Sequence, residues 1–316
     1  MTVSLKSVNQ IDLDFYSTSI YIIQRFLRKI YGNNLKKFYV NNGKFHVMNQ
    51  FNFVMDPVLL MFRHMELLKG FVSKDIKGRF AGSFGGLIWT ILTPLATIIA
   101  YFFIFSIILK VNVRHRETGT DNFAIFFLCG FFPWIMFADS LGKSVGILVG
   151  EANIIKKVVF PVELLPVSIV ISTYLINAVG FVIVLIYLAF NGYLNLHWLY
   201  LPVFLIIEMV FTLGLSFFLS AICVFIRDTG EVFSIIIMLW FFGTPIVYPA
   251  SMVPKPIQLI FHLNPMVYYI DNFRNCILMN KINLHSLLAM SAFALISYCI
   301  GAWFFTHSKS AFGDVL

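Results

Sequence analysis

Long uncharged runs alternate with short polar segments along most of this chain. The 30 residues between Arg79 and Lys110 carry no charge, and neither do the 44 residues between Glu163 and Glu208. A helix needs about 20 predominantly apolar residues to cross a bilayer, so the second run is long enough for two crossings. The turn signal Asn-Gly-Tyr-Leu-Asn at 191–195 divides it. The pattern predicts six membrane-spanning helices, at about 84–109, 123–149, 166–190, 198–226, 231–249 and 284–306.

Two other segments have a different pattern. Apolar residues recur at helical spacing before the first span, at Met61, Met65, Leu68, Val72, Ile76 and Phe80, with basic residues around them. We expect an amphipathic helix at 58–83 that lies along the membrane interface; a helix packed on a soluble domain is the alternative. The proline-rich segment 250–275 is too short to cross a bilayer and predicts two re-entrant helices. Residues 1–57 form an extension, predicted to be cytoplasmic, whose role the sequence leaves open.

Composition supports an all-α integral membrane protein. Hydrophobic residues make up 59% of the 316 residues and charged residues 12%, and mean hydropathy is +0.85. An ordinary soluble domain has about 25% charged residues. These values exclude a soluble enzyme, a disordered tail and a nucleic-acid-binding module, despite the net charge of +8.

The basic charge is concentrated at one end, since residues 1–84 carry 12 Lys and Arg against 5 Asp and Glu. An even number of spans places both termini on the same side of the membrane. With the termini inside, 17 Lys and Arg fall inside and 6 outside. The excess of positive charge on the inner side predicts cytoplasmic termini and a multi-pass protein of the cytoplasmic (inner) membrane. The basic end would then contact anionic lipid headgroups.

Few residues have the pattern of a chemical site. The sequence contains no Walker A loop, nucleophile elbow, His-Glu-x-x-His or Cys-x-x-Cys motif, so we expect no catalytic, metal or cofactor site. Within the spans, Glu208 has no evident partner, whereas Asp139 and Lys143 are one helical turn apart and can pair.

Two features predict contact with other molecules. The segment 151–166 predicts a short helix ended by Pro161 that exposes Ile154, Ile155 and Phe160. Such a helix is covered either by a partner protein or by the membrane surface. Aromatic residues in the first and fifth spans, among them Trp89 and Trp240, fit a sugar pathway as well as ordinary packing.

Seven motifs then occur in a fixed order. They are Asp75-x-Lys77-x-Arg79-x-x-Gly82-Ser83-x-x-Gly86-x-x-Trp89-x-x-x-x-Pro94, Gly130-Phe131-Phe132-Pro133-Trp134, Asn153-Ile154-Ile155-Lys156-Lys157-x-x-Phe160-Pro161, Phe225-x-Arg227-Asp228, Thr244-Pro245-Ile246-x-Tyr248, Asn264-Pro265 and Ala311-Phe312-Gly313-Asp314-Val315-Leu316. Over roughly 58–316 the chain resembles the ABC-2 type permeases that export O-antigen, capsule and teichoic-acid chains. Their members begin close to the interface helix, so the long extension is a departure.

The resemblance implies a homodimeric permease that recruits two copies of a separate ABC ATPase, which binds ATP and Mg²⁺. It makes 151–166 the coupling helix and 250–275 the gate helices, with the first and fifth spans lining a channel. The residues implied to contact the ATPase are Asn153, Ile154, Ile155, Lys156, Lys157, Phe160 and Pro161. Those implied to contact glycan are Trp89, Tyr101, Trp240 and Tyr248.

The implied cargo is a glycan on an undecaprenyl diphosphate carrier, as in lipopolysaccharide biosynthesis. A diphosphate needs cationic donors, and Lys74, Lys77 and Arg79 are the candidates. Three alternatives stay open. They are an ABC-2 permease for another lipid or drug, a membrane-embedded glycan enzyme using Asp75 and Asp228, and a passive channel that works without an ATPase.

Overall fold

The computed structural model describes residues 39–41, 44–46, 52–79, 82, 85–108, 115–254, 256 and 258–316. Most of the predicted extension 1–57, together with Phe80 and Ser83 of the predicted interface helix, lies outside these residues. The chain divides into two units, Met1–Asn52 and Phe53–Leu316. In the first unit, strands β1 (Tyr39–Asn41) and β2 (Lys44–His46) pair in antiparallel fashion. This hairpin is an exception to the predicted all-α class.

From Asn52 onward, the regular elements that the structure describes are helices. They are α1 (Asn52–Arg63), α2 (Met65–Arg79), α3 (Trp89–Phe102), α4 (His115–Thr118), α5 (Phe123–Val145), α6 (Ile147–Gly150), α7 (Ala152–Lys157), α8 (Leu164–Phe190), α9 (Leu201–Phe225), α10 (Thr229–Phe242), α11 (Gln258–Leu263), α12 (Pro265–Leu278), α13 (Leu284–Ser308) and α14 (Phe312–Val315). Short 3₁₀ segments lie at Gly86–Ile88, Leu196–Tyr200, Ala250–Met252 and Lys309–Ala311, and a π-helical turn lies at Phe103–Ile108.

Four helical segments are long and apolar enough to cross a membrane. They are Phe123–Val145, Leu164–Phe190, Leu196–Phe225 and Leu284–Val315. They coincide with four of the six predicted spans. The chain is therefore a multi-pass membrane protein with at least these four candidate crossings among its described residues.

The other two predicted spans contain shorter helices. Helix α3 has 14 residues and continues into the π-helical turn, and α10 also has 14 residues. The prediction that the fifth span continues to residue 249 is wrong, because α10 ends at Phe242 with Gly243 as its cap. Pro245 lacks a backbone N–H and disfavours helical geometry at Thr244, which explains the early end.

The predicted lengths of two surface helices are also wrong. Helix α7 ends at Lys157, before the predicted end at Pro161 and well short of residue 166, because the backbone is extended at Val158. The predicted interface helix is divided into α1 and α2, which meet at His64. Its backbone is nevertheless continuous in hydrogen bonding, since the His64 N–H donates to Leu60 O at 2.9 Å and Leu68 N–H donates to His64 O at 3.0 Å.

Helix α5 lies at the centre of the core, with most of its side chains buried against α8, α9 and α12. Helix α2 packs along α8, and α9 packs along α13. The last pair is especially close, since a Cβ atom added to Gly301 would lie 1.8 Å from Gly214 O. Two glycines therefore bring these two backbones into direct contact.

Candidate coupling and transport sites

The connection between α6 and α8, residues 151–163, is called the coupling segment below. Helix α7 occupies its first half, the backbone is extended at Val158, and a turn at 162–163 leads into α8. Val158 is 56% exposed and Val159 is fully exposed. Asn153, Lys156 and Lys157 are exposed as well. The tip of the segment thus presents two valines between basic and amide side chains.

The prediction that Ile154, Ile155 and Phe160 are exposed is wrong, since all three are half-buried. The Phe160 ring lies 5.6 Å from the ring of Phe71 on α2, and Ile155 packs against the core. The exposed apolar side chains are instead Val158, where the backbone is extended, and Val159. The β-branched Val-Val pair before Phe160-Pro161 is the sequence signal for an extended tip.

Ion pairs hold the coupling segment at both ends. Lys74 Nζ on α2 lies 2.6 Å from Glu151 Oε1, and Lys309 Nζ, after α13, lies 2.7 Å from Glu163 Oε1. The first pair is exposed, whereas the Glu163 side chain is only 4% exposed. The segment is therefore attached to α2 at one end and to the residues after α13 at the other. Pro161 lies between them, half-buried.

The three cations predicted to bind a lipid diphosphate do not converge. Lys74 is paired with Glu151. Arg79 donates from Nε to Asp75 Oδ2 at 2.9 Å and from a terminal nitrogen to Thr173 Oγ1 at 2.6 Å. Lys77 is exposed and makes no ion pair with any residue the structure describes. Lys77 is thus the member of this set whose charge is available to a ligand.

Two of the four predicted glycan residues line one cavity. Trp240 and Tyr248 border a space of about 610 Å³ together with Phe261 and Asn264. The Tyr248 hydroxyl donates to Phe242 O at 2.8 Å. Partial burial raises the pKa of Tyr248 above its usual value, so its hydroxyl stays protonated at neutral pH.

The other two predicted glycan residues are on α3 and do not line this cavity. Tyr101 packs against the rings of Phe127 at 4.5 Å and Phe131 at 5.0 Å. Trp89 is 44% exposed at the start of the helix. Tyr101 is thus half-buried against aromatic rings of α5, whereas Trp89 lies at the surface of the chain.

Asn264 joins the end of α10 to the start of α12. Its Oδ1 accepts hydrogen bonds from Trp240 Nε1 at 2.8 Å and from Met266 N at 3.0 Å. Its Nδ2 donates to Gly243 O at 3.1 Å and to Thr244 Oγ1 at 2.9 Å. One side-chain amide thereby fixes the indole of Trp240 and one wall of the cavity.

Arg274 is a functional candidate that sequence analysis missed. It is one of the six Lys and Arg that the charge rule places on the outer side, but it is 8% exposed on α12. Its guanidinium donates to Phe126 O at 3.1 Å, to Ile246 O at 2.8 Å and to Pro245 O, and it lies 3.6 Å above the Phe126 ring. A Cβ at Gly130 would lie 2.6 Å from it. Gly130 is therefore the sequence feature that indicates space beside α5 for a buried cation.

Comparison with known proteins decides the family. The sequence profile of the family described as ABC-2 type transporter matches residues 66–278, which is about two thirds of the chain. The chain belongs to the ABC-2 type transporter family. Residues 1–57 precede the matched region. The match includes α2, the coupling segment and the cavity beside Trp240.

Named relatives of this ABC-2 type transporter cover most of its length. It is 28% identical over 258 residues to the O-antigen export system permease protein RfbA of Myxococcus xanthus, covering 80% of this chain and 96% of that protein. It is 30% identical over 253 residues to RfbA of Klebsiella pneumoniae, covering 79% and 95%. It is 22% identical over 231 residues to the polysialic acid transport protein KpsM of Escherichia coli, covering 72% and 88%.

Acidic groups in this ABC-2 type transporter do not assemble a catalytic site in the part of the chain that the structure describes. Asp75 accepts from Arg79 and from Ser172 Oγ, which places its carboxylate in a structural ion pair. Asp228 is exposed before α10. Glu208 is fully buried on α9, and neither of its carboxyl oxygens has a hydrogen-bond partner among the described residues. The described residues contain no group of three or more His, Cys, Asp or Glu that could hold a metal.

Proposed function

We propose that this chain is the permease subunit of an ATP-driven exporter that moves a lipid-linked polysaccharide across the cytoplasmic membrane. The observation that carries the proposal is the similarity to O-antigen export permeases along nearly their whole length. The cargo is then an O-antigen-like, capsular or teichoic-acid chain. Bond chemistry belongs to other proteins, and this chain acts in translocation.

The coupling segment supports a separate ATPase as the source of energy. Two exposed valines at its tip, Val158 and Val159, are an apolar surface that a partner protein would cover. Ion pairs at Glu151 and Glu163 transmit a displacement of the tip to α2 and to the residues after α13. Two ATPase copies, each binding ATP and Mg²⁺, would act on a homodimer of this chain.

The proposed permease has six crossings, with α3 and α10 as the two short ones, and both termini in the cytoplasm. Helices α11 and α12 are the proposed re-entrant gate helices on the outer side. The cavity between α10 and α11 suits a sugar, because the rings of Trp240, Tyr248 and Phe261 face a common space. Pyranose rings present an apolar C–H face to such aromatic surfaces.

The proposed carrier is undecaprenyl diphosphate, which enters from the membrane beside α2. A groove of about 380 Å³ between α2 and α8 is lined by apolar side chains and by Lys69 and Lys77. Ammonium groups at the rim of an apolar groove suit a phosphate-bearing lipid. The proposed phosphate-binding residues are therefore Lys69 and Lys77, because the predicted Lys74 and Arg79 form ion pairs within the chain.

The test is ATP hydrolysis by the intact complex. The chain is co-expressed with its candidate ATPase, purified by a tag on this chain, and compared with a Lys156→Glu variant. Lys281→Glu serves as the matched control, since Lys281 is exposed outside the coupling segment. We expect the ATPase to co-purify with the unaltered chain and with the control, and the Lys156 variant to lose coupling.

Export of surface glycan is measured in the same cells, and Trp240→Leu tests the cargo. For a polysaccharide, the loss of the indole lowers export, whereas for a simple lipid or drug it has little effect. If no ATPase co-purifies and glycan export is unchanged, the permease proposal is wrong and the enzyme and channel alternatives return.

A further inference from the structure

One face of α5 stays open although the rest of the helix is buried. Partly or fully exposed positions recur every three or four residues, at Ala138, Asp139, Gly142, Lys143 and the cap residue Gly146. This spacing places them on a single side of the helix. We call this face the polar strip. It lies at the end of α5 that leads into the coupling segment.

The charged side chains of the polar strip are not compatible with contact to lipid tails. Asp139 and Lys143 form an ion pair at 3.3 Å, with side chains 44% and 39% exposed. Asp139 is six residues before the end of α5, which corresponds to about 9 Å along a helix. It therefore falls within the thickness of the bilayer. Charged groups at such a depth face water or protein and not lipid tails.

Other helices extend the polar strip. Asn177 Nδ2 on α8 lies 3.5 Å from Asp139 Oδ2. Asn177 Nδ2 also donates to Thr173 O at 3.1 Å, and Thr173 Oγ1 accepts from Arg79 on α2 at 2.6 Å. The contacts to Asp139 are longer than the usual 2.7–3.2 Å for strong N–H···O bonds. Its carboxylate therefore keeps the capacity to accept hydrogen bonds from another molecule.

We propose that the polar strip is a wall of the water-filled path along which the glycan moves, on the side of the coupling segment. Sugar hydroxyls exchange hydrogen bonds with Asp139 and Lys143, while Gly142 and Gly146 leave the path wide. This inference rests on the proposed function and extends it to residues on α5. The aromatic cavity beside Trp240 then receives the glycan after it has passed this hydrated part of the path.

The continuity of polar groups favours a water-filled path over a dry contact between two copies. Hydrogen bonds link Asp139 through Asn177 and Thr173 to Arg79, so the polar groups continue from α5 across α8 to α2. A dry interface at this depth would instead remove an exposed ion pair from water. The desolvation free energy of the two ions would exceed the attraction between them in such a loose pair.

Cysteine accessibility tests the path without reference to any cargo. Gly142→Cys and Gly146→Cys are suitable, because an added Cβ at either glycine has no atom within 4 Å. Cys129, Cys223 and Cys276 are buried, and Cys299, which is partly exposed, is replaced by Ser. The probe is a membrane-impermeant cationic methanethiosulfonate, applied to inverted membrane vesicles that contain the complete complex. Leu295→Cys on α13 is the matched control, since Leu295 is 63% exposed on an apolar face.

We expect the cysteines at 142 and 146 to react at least tenfold faster than the one at 295. Rates equal to that of the control, in a complex that still exports glycan, would overturn the proposal while leaving the proposed function intact. Such a result means that a second copy or lipid covers the strip.

A bulky residue tests whether cargo passes the strip. Gly142→Trp should lower the amount of glycan exported per ATP hydrolysed at least tenfold, whereas Leu295→Trp should leave that ratio unchanged. Recovery of the Gly142→Trp complex with its ATPase in the usual amount excludes misfolding as the cause. An unchanged ratio in this assembled variant would overturn the proposal. If the strip reacts with the probe but no variant or deletion of the chain affects glycan, the proposed function fails and the water-filled path remains.

Discussion

The loop after α10 and the coupling segment are both irregular stretches beside long helices, but they are held in opposite ways. In the loop, carbonyls of Gly243, Pro245 and Ile246 accept hydrogen bonds from Asn264 and Arg274. The coupling segment is fixed at its ends by ion pairs, and its tip has Val159 fully exposed. The conformation of the loop is therefore encoded within the chain. In the proposed complex, the coupling segment instead presents a surface that the ATPase covers.

Replacing Arg274 by Met should have the largest effect on folding. It leaves the carbonyls of Phe126, Pro245 and Ile246 without their buried donor. Breaking a buried charged network costs about 3–5 kcal/mol. We expect a large fall in the apparent Tm of the purified protein, with a smaller fall for Arg274→Lys, which keeps the charge. An apparent Tm equal to that of the unaltered chain would show that the loop is held by other contacts.

Lys309→Ala should have the next largest effect. Its loss leaves the Glu163 carboxylate, which is 4% exposed, without its cation. A buried group that loses its partner costs about 1–3 kcal/mol. Thermal unfolding of the purified chain measures the change, and the double variant with Glu163→Gln should recover part of it. No recovery in the double variant would contradict the ion pair.

Lys74→Ala should have a small effect. Its ion pair with Glu151 joins side chains that are 56% and 22% exposed, and such pairs contribute about 1 kcal/mol or less. The same thermal measurement at low and high salt checks this, since screening should remove most of the difference. A loss as large as that of Lys309→Ala would mean that both ends of the coupling segment are equally rigid.

Val159→Asp should leave the apparent Tm of the isolated chain unchanged, because the side chain makes no buried contact to lose. Its effect should appear in assembly, as loss of the co-purifying ATPase. This separation of stability from assembly sharpens the contrast with Arg274. Retention of the ATPase in normal amount would place the docking contact elsewhere on the segment.

The sequence predicts the four long crossings well, because each is a continuous apolar run and the Asn191-Gly192 turn separates the middle pair. It does not predict where α10 ends, since the carbonyls released there are bound by Asn264 and Arg274, which come later in the chain. The local pattern of apolar residues indicates which segments cross the membrane. It does not indicate which side chains, distant in sequence, will bind the backbone where a helix ends.

The candidate sites show the same division. Phe160 is expected to be exposed in its local segment, but its ring packs on Phe71 from a different helix. Arg274 counts as an outer charge in any rule based on composition, although it is buried. The exposure of the segment as a whole is predictable because it lies between apolar runs. Which side chains face outward depends on contacts between helices that are distant in sequence.

The close approach of Gly214 and Gly301 has a mechanical consequence. With no side chain between the backbones of α9 and α13, any axial slide would bring larger neighbours such as Leu213 or Ile300 into the contact. The two helices are therefore locked in register, and we expect them to move as one rigid body. A conformational change of the protein would then take place around this pair and not within it.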